Sequence, residues 1–212
     1  EEGADAVEIG VPFSDPMADG ITIQRSSQDA IEKGVSLRWI LDQLATKTPS
    51  STPLLLMSYL NPLLAFGYET LAARASEVGV SGFIVPDLPY EESAPLKGCL
   101  DAHGLALVQL VTPATPPERL SQLCRASEGF VYAVTRTGIT GGETQLPAGI
   151  TDYLGAVKKI SPVPVCAGFG VRSRDDVELI GQHADGVIVG SALVEALERG
   201  ESPSSFLKSL RP

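Results

Sequence analysis

The sequence of 212 residues holds only three cysteines, Cys99, Cys124 and Cys166, and no two form a CxxC pair. An odd, scattered set excludes a disulfide framework and argues for reduced thiols in a cytosolic setting. Only two histidines are present, His103 and His183, far apart and without ligand-like neighbours, so no metal site is expected. No run of about 18 apolar residues exists, which removes a membrane-spanning helix, and no secretory signal pattern opens the sequence. Cations are scarce as well: 16 Lys and Arg stand against 26 Asp and Glu, a net charge of −10. Such a chain repels nucleic acid and anionic membrane, so neither is an expected partner. A phosphate ligand stays open, because backbone amides bind anions locally. With no internal repeat, low-complexity tract or linker, residues 1–212 read as a single domain.

What is present is ordinary for one α/β domain, 43% hydrophobic and 20% charged. Strand-like apolar runs fall at Ala6–Ile9, Pro53–Tyr59, Gly82–Val85, Ala106–Leu110, Gly129–Val134, Val163–Ala167 and Gly186–Val189. Amphipathic stretches lie between them: Ile23–Lys33 with Leu37–Leu44, Tyr68–Glu77, Glu92–His103, Pro117–Arg125, Thr151–Ile160, Ser173–His183 and Ser191–Arg199, with a last short helix at Ser204–Leu210. This alternation predicts a parallel sheet covered by helices. A closed barrel of this kind takes eight strands and about 250 residues. The opening EEGAD reads as the tail of a helix, so the expectation is a (β/α)8 TIM barrel whose first strand is missing from the amino end. The alternative is an open seven-stranded sheet, which would leave both edges unpaired.

The chemistry concentrates in AVEIGVPFSDPMADGITIQ, Ala6–Gln24. Glu8 sits inside the first apolar run, and a carboxylate there needs a reason, since desolvating it costs several kcal/mol or forces protonation. Pro12, Asp15, Pro16, Asp19 and Gly20 then form a shaped loop, and a helix follows with Thr22 as its expected cap. A strand-borne acid and a loop-borne acid thus fall at the carboxyl end of one strand, where parallel α/β folds do their chemistry. Asp15 also fits a plain turn role.

Three glycine-rich sites fall late: TRTGITGG (Thr135–Gly142), AGFGV (Ala167–Val171) and the GSA of Gly190–Ala192, each after a strand. Barrels commonly bind phosphate with the loops after their last two strands and a helix amino terminus. Gly168, Gly170, Gly190 and Ser191 fit that role, although GxG alone is also a tight turn and Ser191 alone a helix cap. The Arg136–Leu146 loop reads as a lid that excludes water.

VEIGVPFSDPMADGITIQ, the YLNP of Tyr59–Pro62, VPDLPYEES (Val85–Ser93), TRTGITG, AGFGV and DGVIVGSA together resemble the tryptophan synthase alpha subunit family, in order through the whole chain. The resemblance implies a (β/α)8 barrel about one strand longer at the amino end. It implies cleavage of indole-3-glycerol phosphate to indole and glyceraldehyde 3-phosphate, a carbon–carbon lyase step of tryptophan biosynthesis. No cofactor is implied in this subunit; pyridoxal phosphate belongs to a beta subunit that receives the indole, in an alpha-beta-beta-alpha assembly. Location would be cytoplasmic, or the plastid stroma in a plant. The family's strand glutamate falls on Glu8, its ADG aspartate on Asp19 and its tyrosine ahead of the lid on Tyr132. Substrate-binding positions fall on Tyr59, Thr140, Gly141, Phe169, Gly170, Gly190 and Ser191. Two positions depart: Ile21 replaces the usual proline after ADG, and Met17 the common leucine.

The implied reaction needs a group that gives and takes a proton and an anion beside the indole N–H. Glu8, its pKa raised by an apolar strand, is expected in the first role and ionised Asp19 in the second. Thr140 is expected to close onto Asp19. Tyr132 also fits a packing role with one hydrogen bond, and Asp87 is expected to support the lid or meet the partner. Three alternatives stay open: a stand-alone lyase releasing free indole, an isomerase or synthase on a related barrel, and a non-catalytic phosphate-ligand-binding barrel.

Overall fold

The computed structural model describes residues 3–48, 50–135, 149–168 and 170–211. Among these residues seven strands occur: β1 (Val7–Gly10), β2 (Leu54–Met57), β3 (Val80–Ile84), β4 (Ala106–Val111), β5 (Val131–Val134), β6 (Val165–Gly168) and β7 (Gly186–Val187). They stand in chain order, each parallel to the next. Helices fill the connections: α1 (Ile21–Glu32), α2 (Leu37–Ala45), α3 (Leu60–Phe66), α4 (Tyr68–Glu77), α5 (Ala94–Ala102), α6 (Pro117–Ala126), α7 (Ile150–Ile160), α8 (Arg174–Gly181), α9 (Ser191–Glu198) and α10 (Pro203–Leu210). The α/β class and its parallel strands are therefore as expected. No helix among the described residues is long and apolar enough to cross a membrane.

The chain forms two compact units, Gly3–Ala18 with Gln24–Val108, and Asp19–Ile23 with Gln109–Pro212. In the first, β2 and β3 carry the core. Leu56, Phe83 and Ile84 are fully buried, and Leu55 nearly so. Consecutive strand residues buried on both faces are what a helix-covered parallel sheet demands. Helix α2 buries Leu37, Ile40, Leu41 and Leu44, the i, i+3, i+4, i+7 stripe of one helical face, and Ser36 caps it by accepting from Trp39 N. Leu63 of α3, Leu71 of α4 and Leu96 and Leu100 of α5 complete the same cluster. Each such leucine stabilises the fold by about 1.5–3 kcal/mol.

In the second unit every residue of β5 is buried. Helix α7 lays Ile150, Leu154 and Val157 inward, and α9 and α10 close over Ala192, Ala196, Phe206 and Leu210. Helix α8 starts with a reciprocal cap: Ser173 Oγ accepts from Asp176 N, while Asp176 Oδ2 accepts from Ser173 N at 2.9 Å. Asp185 follows α8 and stitches β6 in place, accepting from Val165 N at 2.9 Å and pairing with Lys158 of α7 at 2.8 Å.

Three details differ from expectation. Helix α3 was not anticipated; it is only seven residues long, and its Pro62 falls in the first turn, where a missing N–H costs nothing. Strand β7 is two residues long rather than four, although Ile188 N still donates to Ala167 O at 2.8 Å. Thr22 is not a cap, because α1 already begins at Ile21; its hydroxyl goes elsewhere, as described below.

Candidate active site

The acidic stretch begins on β1. Glu8 is half-buried there and stands opposite Leu55 of β2. The apolar run around it is less enclosed than its composition suggests: Val7 is 39% exposed, and among the described residues β1 pairs with β2 alone. Beyond Gly10, Val11 N still donates to Met57 O at 2.8 Å, and the loop then leaves the ladder. Its first half is held by Ser27 of α1, whose Oγ accepts from Phe13 N at 2.8 Å and donates to Phe13 O at 3.1 Å. Its second half is held by Tyr59. The Tyr59 ring packs against Phe13 at 5.4 Å between centroids, and its hydroxyl accepts from Ala18 N at 2.9 Å. Tyr59 is 5% exposed, so it orders the backbone immediately before Asp19.

Tyr59 is itself fixed. It precedes α3, and Asp87, just past β3, accepts from Leu60 N at 2.9 Å. That bond satisfies one of the orphan donors at the start of α3. Asp87 thus acts as a helix cap inside the first unit. Asp15 is exposed and accepts from the neighbouring Ser14 Oγ at 2.5 Å. Met17 and Ile21 are 76% and 68% exposed, so neither departure disturbs a core. Ile21 occupies the first position of α1, where proline is favoured for its preset φ.

In the second unit Asp19 is half-buried and directly precedes the buried Gly20 and α1. Tyr132, in the middle of β5, is 4% exposed and lies 6.5 Å from the Phe130 ring. Its hydroxyl crosses Gly168 of β6 so closely that a Cβ added there would come within 2.7 Å of it. The carbonyl of Gly168 accepts twice from Thr135, at 2.8 Å from N and 2.9 Å from Oγ1. Gly170 takes φ +93°, a backbone that side chains with a Cβ rarely adopt. Helix α9 starts at Ser191, with Gly190 before it, so the N–H groups of its first turn lie at the positive end of a helix dipole, Leu193 N bonding back to Gly190 O at 2.9 Å.

One grouping here was not anticipated. Glu195, on α9, accepts from Thr22 Oγ1 at 2.9 Å through Oε1 and pairs through Oε2 with Arg172. Burial pushes the Glu195 carboxyl up, but the Arg172 guanidinium and the Thr22 hydroxyl outweigh this and hold it below the usual glutamate range. No spacing rule links residues 22, 172 and 195; the only sequence sign is a lone acid on an otherwise apolar ALVEAL stretch.

Thr140, Gly141, Phe169 and the expected lid lie outside the described residues. Among those described, no group of three His, Cys, Asp or Glu side chains is placed to hold a metal ion. Cys166 is half-buried, and desolvation with the neighbouring Asp185 charge raises its thiol to about 11. A cleft of about 410 Å³ in the second unit, lined by Val177, Glu178, Gln182, Asp185 and Val187, includes none of the candidate residues.

The sequence matches the family model described as tryptophan synthase alpha chain over residues 1–210. A tryptophan synthase alpha chain from Geobacter sulfurreducens is 44% identical, the match covering all of this chain and 83% of that protein. One from Bacillus cereus is 47% identical over 93% of this chain and 77% of its own length. A tryptophan synthase structure from Mycobacterium tuberculosis superposes with TM-score 0.90 at 38% identity, covering 99% of this chain and 80% of that one. The alpha subunit from Pyrococcus furiosus gives 0.86 at 37% identity, covering 97% and 85%. By sequence and by α/β-barrel fold class, this chain belongs to the tryptophan synthase alpha chain family.

Proposed function

We propose that this chain cleaves indole-3-glycerol phosphate to indole and glyceraldehyde 3-phosphate, using Glu8 and Asp19. The observation that carries the reading is the acidic stretch itself, with one carboxylate within a strand and a second just ahead of a helix, in a chain of this family. The bond from indole C3 to the side-chain carbon breaks only once C3 carries a proton. Its electrons then return to the ring, and the adjacent hydroxyl loses its proton to become the aldehyde. Glu8 supplies the first proton and takes the second. Asp19, ionised, accepts the indole N–H and stabilises the charge that develops on nitrogen. Two carboxylates in unlike surroundings can divide such labour.

Tyr59 acts by ordering the Ala18–Asp19 backbone, and Tyr132 has the supporting role. Gly170, Gly190 and Ser191 bind the phosphate through backbone N–H groups and the start of α9; Gly141 joins them, Phe169 lines the substrate, and Thr140 closes on Asp19. No cofactor takes part in this subunit. The partner is a beta subunit carrying pyridoxal phosphate, in an alpha-beta-beta-alpha assembly within the cytoplasm or plastid stroma. Ser14, Asp15, Met17 and Ala18 are exposed in the acidic loop and available to that partner, and the contact couples the two sites. The test is indole formation from indole-3-glycerol phosphate, with and without added beta subunit. Absence of indole in both would end the reading, and equal rates would remove the coupling.

A further inference from the structure

The grouping around Glu195 lies wholly within the second unit and has no part in the proton transfers just described. Its geometry is specific. Glu195 stands one turn into α9, the helix that begins with Gly190 and Ser191. Its Oε1 receives the hydroxyl of Thr22, three residues after Asp19, at 2.9 Å. Its Oε2 receives the guanidinium of Arg172, two residues after Gly170. The Arg172 backbone is fixed separately, its N donating to Asp176 Oδ2 at 2.9 Å. The Glu195 side chain is 23% exposed and that of Arg172 44%, so water reaches the ion pair, while the Thr22 bond is part-buried. An exposed salt bridge alone would contribute little. Here a single carboxylate with both oxygens occupied ties together three segments, each carrying a candidate site residue at its end.

Resting on the proposed function, we propose that Glu195 is a positioning residue. Through Thr22 it sets the Asp19 backbone relative to α9, and through Arg172 it sets the Gly170 loop relative to Gly190 and Ser191. The two arms act on different steps. The Thr22 arm governs the placement of the anion that meets the indole N–H, and hence kcat. The Arg172 arm governs the shape of the phosphate site, and hence KM.

The experiment compares Thr22→Val, Arg172→Ala, Glu195→Ala and Glu195→Gln with the unaltered chain. It reads steady-state cleavage of indole-3-glycerol phosphate, binding of glycerol 3-phosphate by calorimetry, and Tm. Loss of one hydrogen bond of this kind corresponds to about a two- to ten-fold effect. Thr22→Val lowers kcat by that factor and leaves KM nearly unchanged; Arg172→Ala does the reverse and weakens glycerol 3-phosphate binding to match. Glu195→Ala shows both losses. Glu195→Gln restores kcat, since its amide oxygen still accepts from Thr22, but not KM. In the Glu195→Ala background, Thr22→Val and Arg172→Ala add less than two-fold each.

Glu195→Ala within two-fold of the unaltered chain in both constants would overturn the proposal. So would full additivity, or equal losses in kcat and KM for every variant that only track Tm. If the unaltered chain made no indole, the functional reading would fail by itself. Glycerol 3-phosphate affinity would then decide the Arg172 arm, with no binding by the unaltered chain, or equal affinity in Glu195→Ala, counting against it.

Discussion

Gly168→Ala is predicted to destabilise the chain and displace the Tyr132 hydroxyl, although nothing in the backbone at residue 168 forbids alanine. The added methyl would meet Tyr132 Oη at 2.7 Å, Tyr132 Cε1 at 3.0 Å and Ile188 Cβ at 3.0 Å. All three contacts are well inside van der Waals distance, and none can relax cheaply. Tyr132 is 4% exposed in a fully buried strand, and the Gly168 carbonyl is held by both donors of Thr135. Overpacking of this kind costs about 1–3 kcal/mol. For a chain of this size, about 2–4 °C of Tm corresponds to each kcal/mol, so a fall of roughly 2–12 °C is expected. Because the shortest contact is to the hydroxyl oxygen, removing that atom should relieve part of the strain. Thermal unfolding of Gly168→Ala, Tyr132→Phe and the double variant tests this. The double variant should be more stable than the two single effects summed, with a coupling of at least about 0.5 kcal/mol. An unchanged Tm for Gly168→Ala, or strict additivity, would refute the reasoning.

Glu8→Gln and Asp19→Asn should each keep the fold, by circular dichroism and Tm, and lower kcat for indole formation by about 10²–10⁴; wild-type kcat in either would remove that residue from its role. Asp185→Asn should cost stability at neutral pH, because the Lys158 hydrogen bond and the Val165 N–H hold the Asp185 carboxyl below its ordinary range. A depressed carboxylate contributes fully above its unfolded pKa and loses that contribution as pH falls through its folded one. Denaturant curves should therefore separate the two chains at pH 7 by up to about 1 kcal/mol, given the solvent screening of a partly exposed pair, and converge as the pH drops below the usual aspartate range; a constant gap would refute the sign. Cys166, with its thiol raised to about 11, should resist alkylation by iodoacetamide at pH 8 in the folded chain, read by mass spectrometry, and react once unfolded. Rapid modification of the native protein would contradict the burial that raises it.

Much of this protein could be read along the chain because the signals are local. The apolar runs that became β2 to β6 need only their own composition and the glycines and prolines bounding them. The stripe Leu37, Ile40, Leu41, Leu44 announces α2 with its period, and Ser173 with Asp176 announces the start of α8. The same local character made VEIGVPFSDPMADGITIQ legible as strand, loop and helix, with Glu8 and Asp19 at fixed places in it. Helix α3 escaped because its seven residues, Pro62 among them, span too short a stretch to show a period.

What tertiary structure alone decided are the pairings across long separations. Thr22 fits a helix cap by residue type and position, yet its hydroxyl bonds to Glu195, 173 residues away. The Tyr59 hydroxyl meets Ala18 N across 41 residues, and Gly168 is required by the Tyr132 side chain rather than by its own backbone. A side chain's chemistry states what it can bond to, and its neighbours in sequence fix the backbone that carries it. The partner it meets depends on how the rest of the chain packs, and only the folded coordinates hold that information.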